Sequence, residues 1–140
     1  MDEIEQFNRI WNGAYAEARS FDVIEAVALR HAWATALMWY WYGATEAQRP
    51  DIISGFRSPA RQAELLQRWK AGVTDGIAAR PACRSWHMTG RALDVEDLGP
   101  WLDVYGWLMR EMGMRWGIEF GDTNHFDYPG DSQPPNICVT

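Results

Sequence analysis

The residues whose types and spacing suggest chemistry lie in segment 85–94, which reads Ser-Trp-His-Met-Thr-Gly-Arg-Ala-Leu-Asp. His87 precedes the carboxylate of Asp94 by seven residues. That separation is about 10 Å of rise on a helix, which is too far for two ligands of one ion. Gly90 lies between them and permits the chain to turn back. Apolar residues flank Asp94, so we expect Asp94 on a strand that His87 approaches from a loop.

An imidazole and a carboxylate together suit zinc, and zinc sites usually need a third protein ligand. His31 lies in a continuous apolar and aromatic run, which favours a buried or capping role. His125 follows a turn-like segment, with Asp122 three residues before it. Because residues i and i+3 of a turn approach within about 7 Å at Cα, both side chains can face one metal. The pattern predicts one Zn²⁺ held by His87, Asp94 and His125, with a position open for water and Asp122 as the nearby base.

Asp127 competes with Asp122 for the role of base. If the residues after His125 form a strand, the side chains at 125 and 127 point to the same face. Asp127 would then also approach the metal, or would orient a ligand histidine, as carboxylates commonly do at zinc sites. The turn geometry favours Asp122 as the base and leaves Asp127 as the alternative.

The composition excludes several classes of protein. At 140 residues the chain is long enough for one domain with its own core. An apolar content of 47% and nine tryptophans argue against disorder. The net charge of −6 argues against nucleic acid as a partner. No apolar run predicts a membrane span, and we expect a monomer.

The start of the chain and its cysteines indicate where the protein is made. The N-terminus is acidic where a signal peptide would be basic, so we expect synthesis in the cytoplasm without a secretion signal. Two cysteines do not make a disulfide framework. Cys83 and Cys138 could pair if the protein works outside the cytosol, but free thiols are the favoured expectation.

Basic residues concentrate in segment 57–91, between two acidic flanks. Among the basic residues that crowd the segment with the first metal ligand are Arg57, Arg61, Arg80, Arg84 and Arg91. Such a set is either an ordinary solvated face or a positive field for substrate carboxylates. We take the second interpretation as the working hypothesis.

Apolar periodicity and capping residues predict the secondary structure. Helices are expected over 2–19, from a cap at Asp22 to about 42, over 59–71 and over 100–112. Short strands are expected at 51–54, around Asp94, and at 114–120 and 126–128, with the last two antiparallel. The aromatic cluster between Trp33 and Tyr42 is predicted to be buried core rather than a sugar-stacking surface.

These elements predict an α+β domain with a small antiparallel sheet that carries the zinc site and helices packed on one side. The single domain spans 1–140. It divides into an N-terminal helical part (1–50), a catalytic core (51–128) and an irregular tail (129–140). The loop 72–84 is expected to form a rim of the cleft.

The motifs resemble those of a family of zinc peptidases. This family includes the VanY-type D-alanyl-D-alanine carboxypeptidases and the L-alanyl-D-glutamate endopeptidases of phage endolysins. Its pattern Ser-x-His-x-x-Gly-x-Ala-x-Asp reads here as Ser85, His87, Gly90, Ala92 and Asp94, and its later acidic residue and histidine as Asp122 and His125. An upstream Ser-Gly-Phe-Arg-Ser block at 54–58, followed by Gln62, also matches. The resemblance extends from about 51 to 128.

The resemblance implies a hedgehog/DD-peptidase-like fold and a zinc metallopeptidase that cuts peptidoglycan stem peptides. It implies zinc ligation by His87, Asp94 and His125, with Asp122 as general base and Arg57 as transition-state stabiliser. The bond cut, L-Ala-D-Glu or D-Ala-D-Ala, stays open. A phage-type endolysin that reaches the cell wall after release, during host lysis, fits the expected lack of a signal.

The alternative function is a non-catalytic zinc-containing binding module of the same fold, as in the related hedgehog signalling domain. The joint presence of Asp122 and Arg57 favours the enzyme, because a binding module needs neither a base nor an oxyanion partner. Arg57 has a structural alternative, which is to tie the end of a strand to the following helix.

Four further residues are candidate substrate contacts: Gln62, Ser85, Trp86 and Trp116. Each of them also has a structural interpretation. Gln62 can brace a helix against a strand, and Ser85 can hydrogen-bond within its loop. Either tryptophan can cover the sheet instead of lining a substrate groove.

Overall fold

The structure is a computed structural model that describes residues 2–77 and 79–139. Within these ranges the chain forms α1 (Glu3–Ser20), α2 (Glu25–Tyr42), β1 (Ile52–Ser54), α3 (Pro59–Lys70), β2 (Ala92–Val95), α4 (Pro100–Glu111), β3 (Arg115–Trp116) and β4 (His125–Asp127). Short 3-10 helices span Glu46–Gln48, Trp86–Thr89 and Gly117–Phe120. The predicted α+β class is confirmed.

Local capping chemistry sets the helix ends. The Ser58 side chain accepts a hydrogen bond from the Arg61 amide, and Pro59 occupies the first turn of α3, which begins where the helix over 59–71 was predicted. The predicted cap at Asp22 is wrong. Asp22 adopts a left-handed conformation, with φ of 59°, in the turn after α1, and the residue that precedes α2 is Ile24.

The four strands form one antiparallel sheet in the order β1-β2-β4-β3. In the β2–β4 pair, Asp94 lies opposite His125 and Leu93 lies opposite Phe126. Because side chains alternate along a strand, the two polar residues share one face and the two apolar residues share the other. The sheet therefore has a polar face for chemistry and an apolar face for the core.

The helices α1, α2 and α4 pack under the apolar face and form the hydrophobic core with it. The Tyr105 ring of α4 meets Phe126 of β4 edge-on, with ring centroids 5.0 Å apart. Gly106 lies directly under the Trp116 ring, where an added Cβ would collide with the indole. These contacts place α4 against β3 and β4 and leave the polar face uncovered.

The strand predicted over 114–120 is shorter in the structure. It ends at Trp116, and Gly117–Phe120 continues as a 3-10 helix. The cause is a close approach of backbones. The Asp122 amide donates to the Gly117 carbonyl at 2.8 Å, and a Cβ on Gly117 would collide with the Asp122 carbonyl.

The burial predicted for the aromatic cluster is wrong at the end of α2. The first part of the helix is buried, but Trp33, Tyr40 and Trp41 are 45%, 50% and 60% exposed. A helix buries only the face that its neighbours cover. Here α1 and α4 leave the aromatic end of α2 in contact with solvent. Within the described ranges, no helix is long and apolar enough to span a bilayer.

The prediction of free thiols is also wrong. Cys83 and Cys138 form a disulfide with Cα atoms 5.3 Å apart. The tail folds back onto the loop before His87, where the Ile137 amide donates to the Cys83 carbonyl at 2.9 Å. Arg84 donates to the Pro134 carbonyl at 2.8 Å and adds a second tether.

Candidate metal centre

The structure brings together His87, Asp94 and His125. Each offers one ligand atom, and the three atoms lie within 4.8 Å of one another. The Asp94 Oδ1 is 3.2 Å from His87 Nε2 and 3.0 Å from His125 Nδ1. The cross-strand pairing of Asp94 with His125 accounts for half of this convergence.

The other half comes from the 3-10 helix that carries His87. The Ser85 hydroxyl accepts a hydrogen bond from the His87 amide at 3.2 Å and caps this helix. Gly90 ends it in the left-handed conformation, with φ of 69°. A side chain at Gly90 would approach the carbonyl of Asp22. The chain therefore turns back at Gly90, as the sequence predicted, and Ser85 has the loop-bonding role.

The tautomer of His87 is fixed from outside the site. Its Nδ1 lies 2.7 Å from the Gly55 carbonyl oxygen. A carbonyl only accepts hydrogen bonds, so Nδ1 carries a proton and Nε2 is the ring nitrogen left to face Asp94. Gly55 reaches this position because it packs against Phe21 with no room for a Cβ.

His125 has the same arrangement with the ring nitrogens exchanged. Its Nε2 is 2.8 Å from Asp127 Oδ2, which leaves Nδ1 facing Asp94. Asp127 is itself fixed by Arg115, whose Nε and terminal nitrogen donate at 2.6 Å and 3.0 Å. Burial opposes ionisation of Asp127, but the hydrogen bonds from His125 and Arg115 lower its pKa. An ionised Asp127 is the carboxylate that such a metal-binding histidine needs.

The electrostatics of the centre favour a positive charge between these groups. Burial raises the pKa of Asp94, yet the positive field of His87 and hydrogen bonds from both imidazoles hold it far below its usual range. Burial lowers the pKa of His125, but hydrogen bonds to Asp127 and Asp94 raise it to about 9. Two imidazole nitrogens and one carboxylate oxygen, each oriented by an outer partner, fit a zinc ion.

Arg57 braces the centre through all three of its guanidinium nitrogens. They donate to Asp94 Oδ2 at 2.8 Å, to the Ser54 hydroxyl at 2.9 Å and to Gln62 Oε1 at 3.2 Å. The Arg57 amide also donates to the His87 carbonyl at 2.9 Å. Arg57 thus ties β1 to α3, which is the structural role expected as the alternative to catalysis. A guanidinium has five N–H groups, so two remain beyond these three bonds.

A cavity of about 770 Å³ opens over the centre. Besides the three candidate ligands, both candidate bases, Asp122 and Asp127, contribute to its lining, as do Arg57, Gln62, Ser85 and Trp86. Gln62 is buried and donates to the Ala82 carbonyl at 3.0 Å, so it braces the loop at the rim. The loop 72–84 contributes several lining residues, as the rim prediction requires.

Asp122 reaches the cavity from the turn that leads into β4. Its carbonyl accepts from the His125 amide at 3.2 Å, which is the i to i+3 turn expected from the sequence. Burial raises the pKa of the Asp122 carboxyl, and the charge of Asp94 adds to this, against the opposing field of His125. A carboxylate with a raised pKa is a better proton acceptor at neutral pH.

Trp116 does not line the cavity. It is buried on the apolar side of the sheet, stacked on Phe126 with ring centroids 5.8 Å apart. Its indole N–H donates to the Thr123 carbonyl at 2.5 Å. Trp116 therefore has the sheet-covering role, whereas Trp86 is half-buried and lies at the cavity.

Two hydrogen-bond partners that orient the site were not predicted from the sequence. The Gly55 carbonyl, which faces His87 Nδ1, has no side-chain signature. Arg115 holds Asp127 and lies opposite it in the β3–β4 pair. This register emerges only when the sheet is assembled, so no local sequence signal points to Arg115.

Comparisons with protein-family models and with curated proteins give no match for this sequence. Among solved structures, the chain is similar to the L-Ala D-Glu endopeptidase ChiX of Serratia marcescens. The two are 20% identical with a TM-score of 0.52, over 83% of this chain and 86% of that chain. At this identity the likeness shows a shared fold, and it is the fold that the motif resemblance implies.

Proposed function

We propose that the chain is a zinc-dependent peptidase that hydrolyses peptidoglycan stem peptides. The observation that carries this proposal is the convergence of His87, Asp94 and His125 at the floor of a cavity that Asp122 and Arg57 also line. The shared fold with an L-Ala D-Glu endopeptidase supports the substrate class. It also makes the L-Ala-D-Glu bond the first substrate to test.

The metal ligands are prepared for zinc before it binds. When bound, zinc would lower the pKa of a coordinated water toward about 7 and polarise the scissile carbonyl. His87 and His125 would bind it as neutral imidazoles, because Gly55 and Asp127 accept a hydrogen bond from the N–H on the opposite side of each ring. Arg57 holds the second oxygen of Asp94 and so leaves Oδ1 for the metal.

Asp122 is the proposed general base. It accepts a proton from the attacking water and returns it to the leaving amine. Its carboxyl lies at the cavity on a turn fixed by two backbone hydrogen bonds, to Gly117 and His125. Asp127 is engaged with His125 and Arg115, so we assign it the role of orienting His125.

Arg57 is the proposed partner of the oxyanion that forms as water adds to the scissile carbonyl. Its charge is permanent, and its planar fork keeps two N–H groups free of the bonds to Asp94, Ser54 and Gln62. The same residue therefore fixes a metal ligand and faces the reacting centre. The motif resemblance to phage endolysins supports a lytic role for the hydrolysis, after release to the cell wall.

Mass spectrometry of soluble products from purified sacculi tests the proposal. We expect zinc-loaded protein to release stem peptides whose new N-terminus is D-Glu. The Asp122→Asn variant, with its zinc content checked, should release almost none. A folded, zinc-loaded protein that releases no peptide would instead favour the non-catalytic binding module.

A further inference from the structure

The arginines at the cavity fall into two groups with different partners. Within the described residues, the guanidinium groups at the lining are those of Arg57, Arg61, Arg80, Arg84 and Arg115. On the floor, Arg57 pairs with Asp94 at 2.8 Å and Arg115 pairs with Asp127 at 2.6 Å. The charges of these two arginines are therefore compensated by carboxylates of the metal centre.

The remaining arginines belong to the wall that α3 and the rim loop form. Arg61 pairs with Glu64 at 2.8 Å on the exposed side of α3. Arg84 donates to the Pro134 carbonyl, an acceptor without charge. In residues 2–77 and 79–139, Arg80 has no hydrogen-bond or ion-pair partner, and neither Arg80 nor Arg84 has a carboxylate partner. This wall therefore carries positive charge that the described part of the chain leaves uncompensated.

The rim loop holds these two arginines in the wall of the cavity that opens over the metal centre. The disulfide of Cys83, the residue beside Arg84, ties the loop to the tail, and Pro81, the residue beside Arg80, is buried. Gln62 fixes the Ala82 carbonyl between them. An arginine whose backbone is fixed loses less conformational freedom when its guanidinium binds a carboxylate than an arginine in a mobile loop.

Among the described residues, the carboxylates at the lining belong to the sheet and to the turn before β4, and none belongs to α3 or the rim loop. Asp94 and Asp127 are on β2 and β4, and Asp122 is in the turn before β4. The cavity therefore has a floor that suits a metal and a polarised carbonyl, and a wall that suits an anion. A peptide that spans both would place its scissile bond on the floor and a negative group against the wall.

We propose that Arg80 and Arg84 form a carboxylate subsite that selects peptides with a free carboxyl group beside the scissile bond. This inference rests on the proposed function and deepens it. A D-glutamyl residue joined onward through one carboxyl group keeps the other free, and amidation of that group removes its charge. The enzyme should therefore distinguish acidic from amidated stem peptides.

The test is calorimetric binding of two synthetic peptides to the zinc-loaded Asp122→Asn variant, which removes turnover. The peptides contain L-Ala-D-Glu joined onward through the γ-carboxyl and differ only in a free or amidated α-carboxyl. We expect at least about tenfold tighter binding of the free acid, the size of one charge-assisted hydrogen bond. Adding Arg80→Gln and Arg84→Gln should bring the ratio of the two dissociation constants close to one.

Arg68→Gln in the same background is the matched control. Arg68 lies on α3, bonds the Asp75 carbonyl and is not among the residues that line the cavity, so the preference should persist. Equal binding of the two peptides by the parent protein would overturn the proposal. So would a preference that survives both substitutions and disappears when zinc is removed, because the carboxylate would then bind the metal.

Failure of the subsite and failure of the proposed function give different results. A binding preference that depends on Arg80 and Arg84, without hydrolysis of either peptide by the wild-type protein, would keep the subsite and reject the peptidase. Hydrolysis of both peptides at the same kcat/KM, with equal binding, would keep the peptidase and reject the subsite.

Discussion

Two regions of this molecule bury histidines beside carboxylates, and they use the imidazoles differently. In the helical region, His31 places Nδ1 2.8 Å from the Tyr105 hydroxyl and Nε2 3.0 Å from Glu17 Oε1. At the sheet, His87 and His125 each use one nitrogen for an outer acceptor and turn the other toward Asp94. Both nitrogens of His31 are occupied by groups on opposite sides of the ring.

The helical network is a structural tie. Glu17 uses its second oxygen to accept from the Ile52 amide at 3.2 Å, so the network joins α1, α2, α4 and β1. Burial, with the charge of Glu17, raises the pKa of Tyr105, which therefore stays neutral as a hydrogen-bond partner. The difference from the sheet region teaches that a buried histidine beside a carboxylate is not enough for a metal centre. One nitrogen of each ring must also remain available and face the position that the metal ion would occupy.

The largest effect is expected at Asp122, which lies at the cavity without being a metal ligand. Asp122→Asn should keep zinc and fold but lose at least about a hundredfold in kcat, the lower range for removal of a general base. Zinc content and thermal unfolding are measured on the same sample as the rate. A variant that retains most of its activity at full zinc occupancy would remove Asp122 from the role of base.

Arg57→Lys should have the next largest effect. Lysine keeps the charge but lacks the planar fork that bonds Asp94 and faces the cavity. We therefore expect a loss of about 2–4 kcal/mol of transition-state stabilisation, which lowers kcat and changes KM little. The measurement is steady-state kinetics with a defined peptide. If Arg57 is only a structural tie, the variant will melt at a lower temperature and its folded fraction will have near wild-type specific activity.

Asp127→Asn tests how the outer partners hold the sheet histidines. It removes the acceptor charge behind His125 Nε2, so we expect zinc affinity to fall by about 10-fold to 100-fold, with a smaller loss of activity at saturating zinc. Competition with a chelator gives the affinity, and pH–rate profiles of Asp127→Asn and Asp122→Asn give the roles. If, at full zinc occupancy, the fall in rate at acidic pH disappears in Asp127→Asn but persists in Asp122→Asn, the two roles must be exchanged.

The smallest effect on activity is expected from His31→Gln in the helical region. The substitution breaks the bonds to Tyr105 and Glu17, and we expect a loss of about 1–3 kcal/mol in the free energy of unfolding. Specific activity of the folded protein and zinc content should stay at the wild-type level. Loss of zinc from a folded His31→Gln protein would show instead that the helical network and the metal centre are coupled.

The convergence of His87, Asp94 and His125 was predictable because its signals are local. Gly90 marks the turn that brings His87 back, and the spacing of Asp122 and His125 fits one turn. Ser58 and the glycine after α2 likewise mark helix ends by local chemistry. Such features depend on a few adjacent residues, which the sequence shows directly.

The features that escaped prediction depend on residues far apart in the chain. The partners Cys83 and Cys138 are separated by 55 positions, so their pairing depends on how the tail folds back. Arg115 reaches Asp127 only through the register of β3 and β4. The exposure of Trp41 depends on where α1 and α4 stop covering α2, which apolar content alone does not reveal.

We propose that His87, Asp94 and His125 form a zinc centre and that His31 does not contribute to it. Elemental analysis of protein purified without chelator distinguishes the two regions when it is done on wild type, His87→Ala and His31→Gln. We expect one zinc per chain in wild type and in His31→Gln, and none in folded His87→Ala. Wild-type protein without a stoichiometric transition metal, or unchanged metal content in His87→Ala, would contradict it.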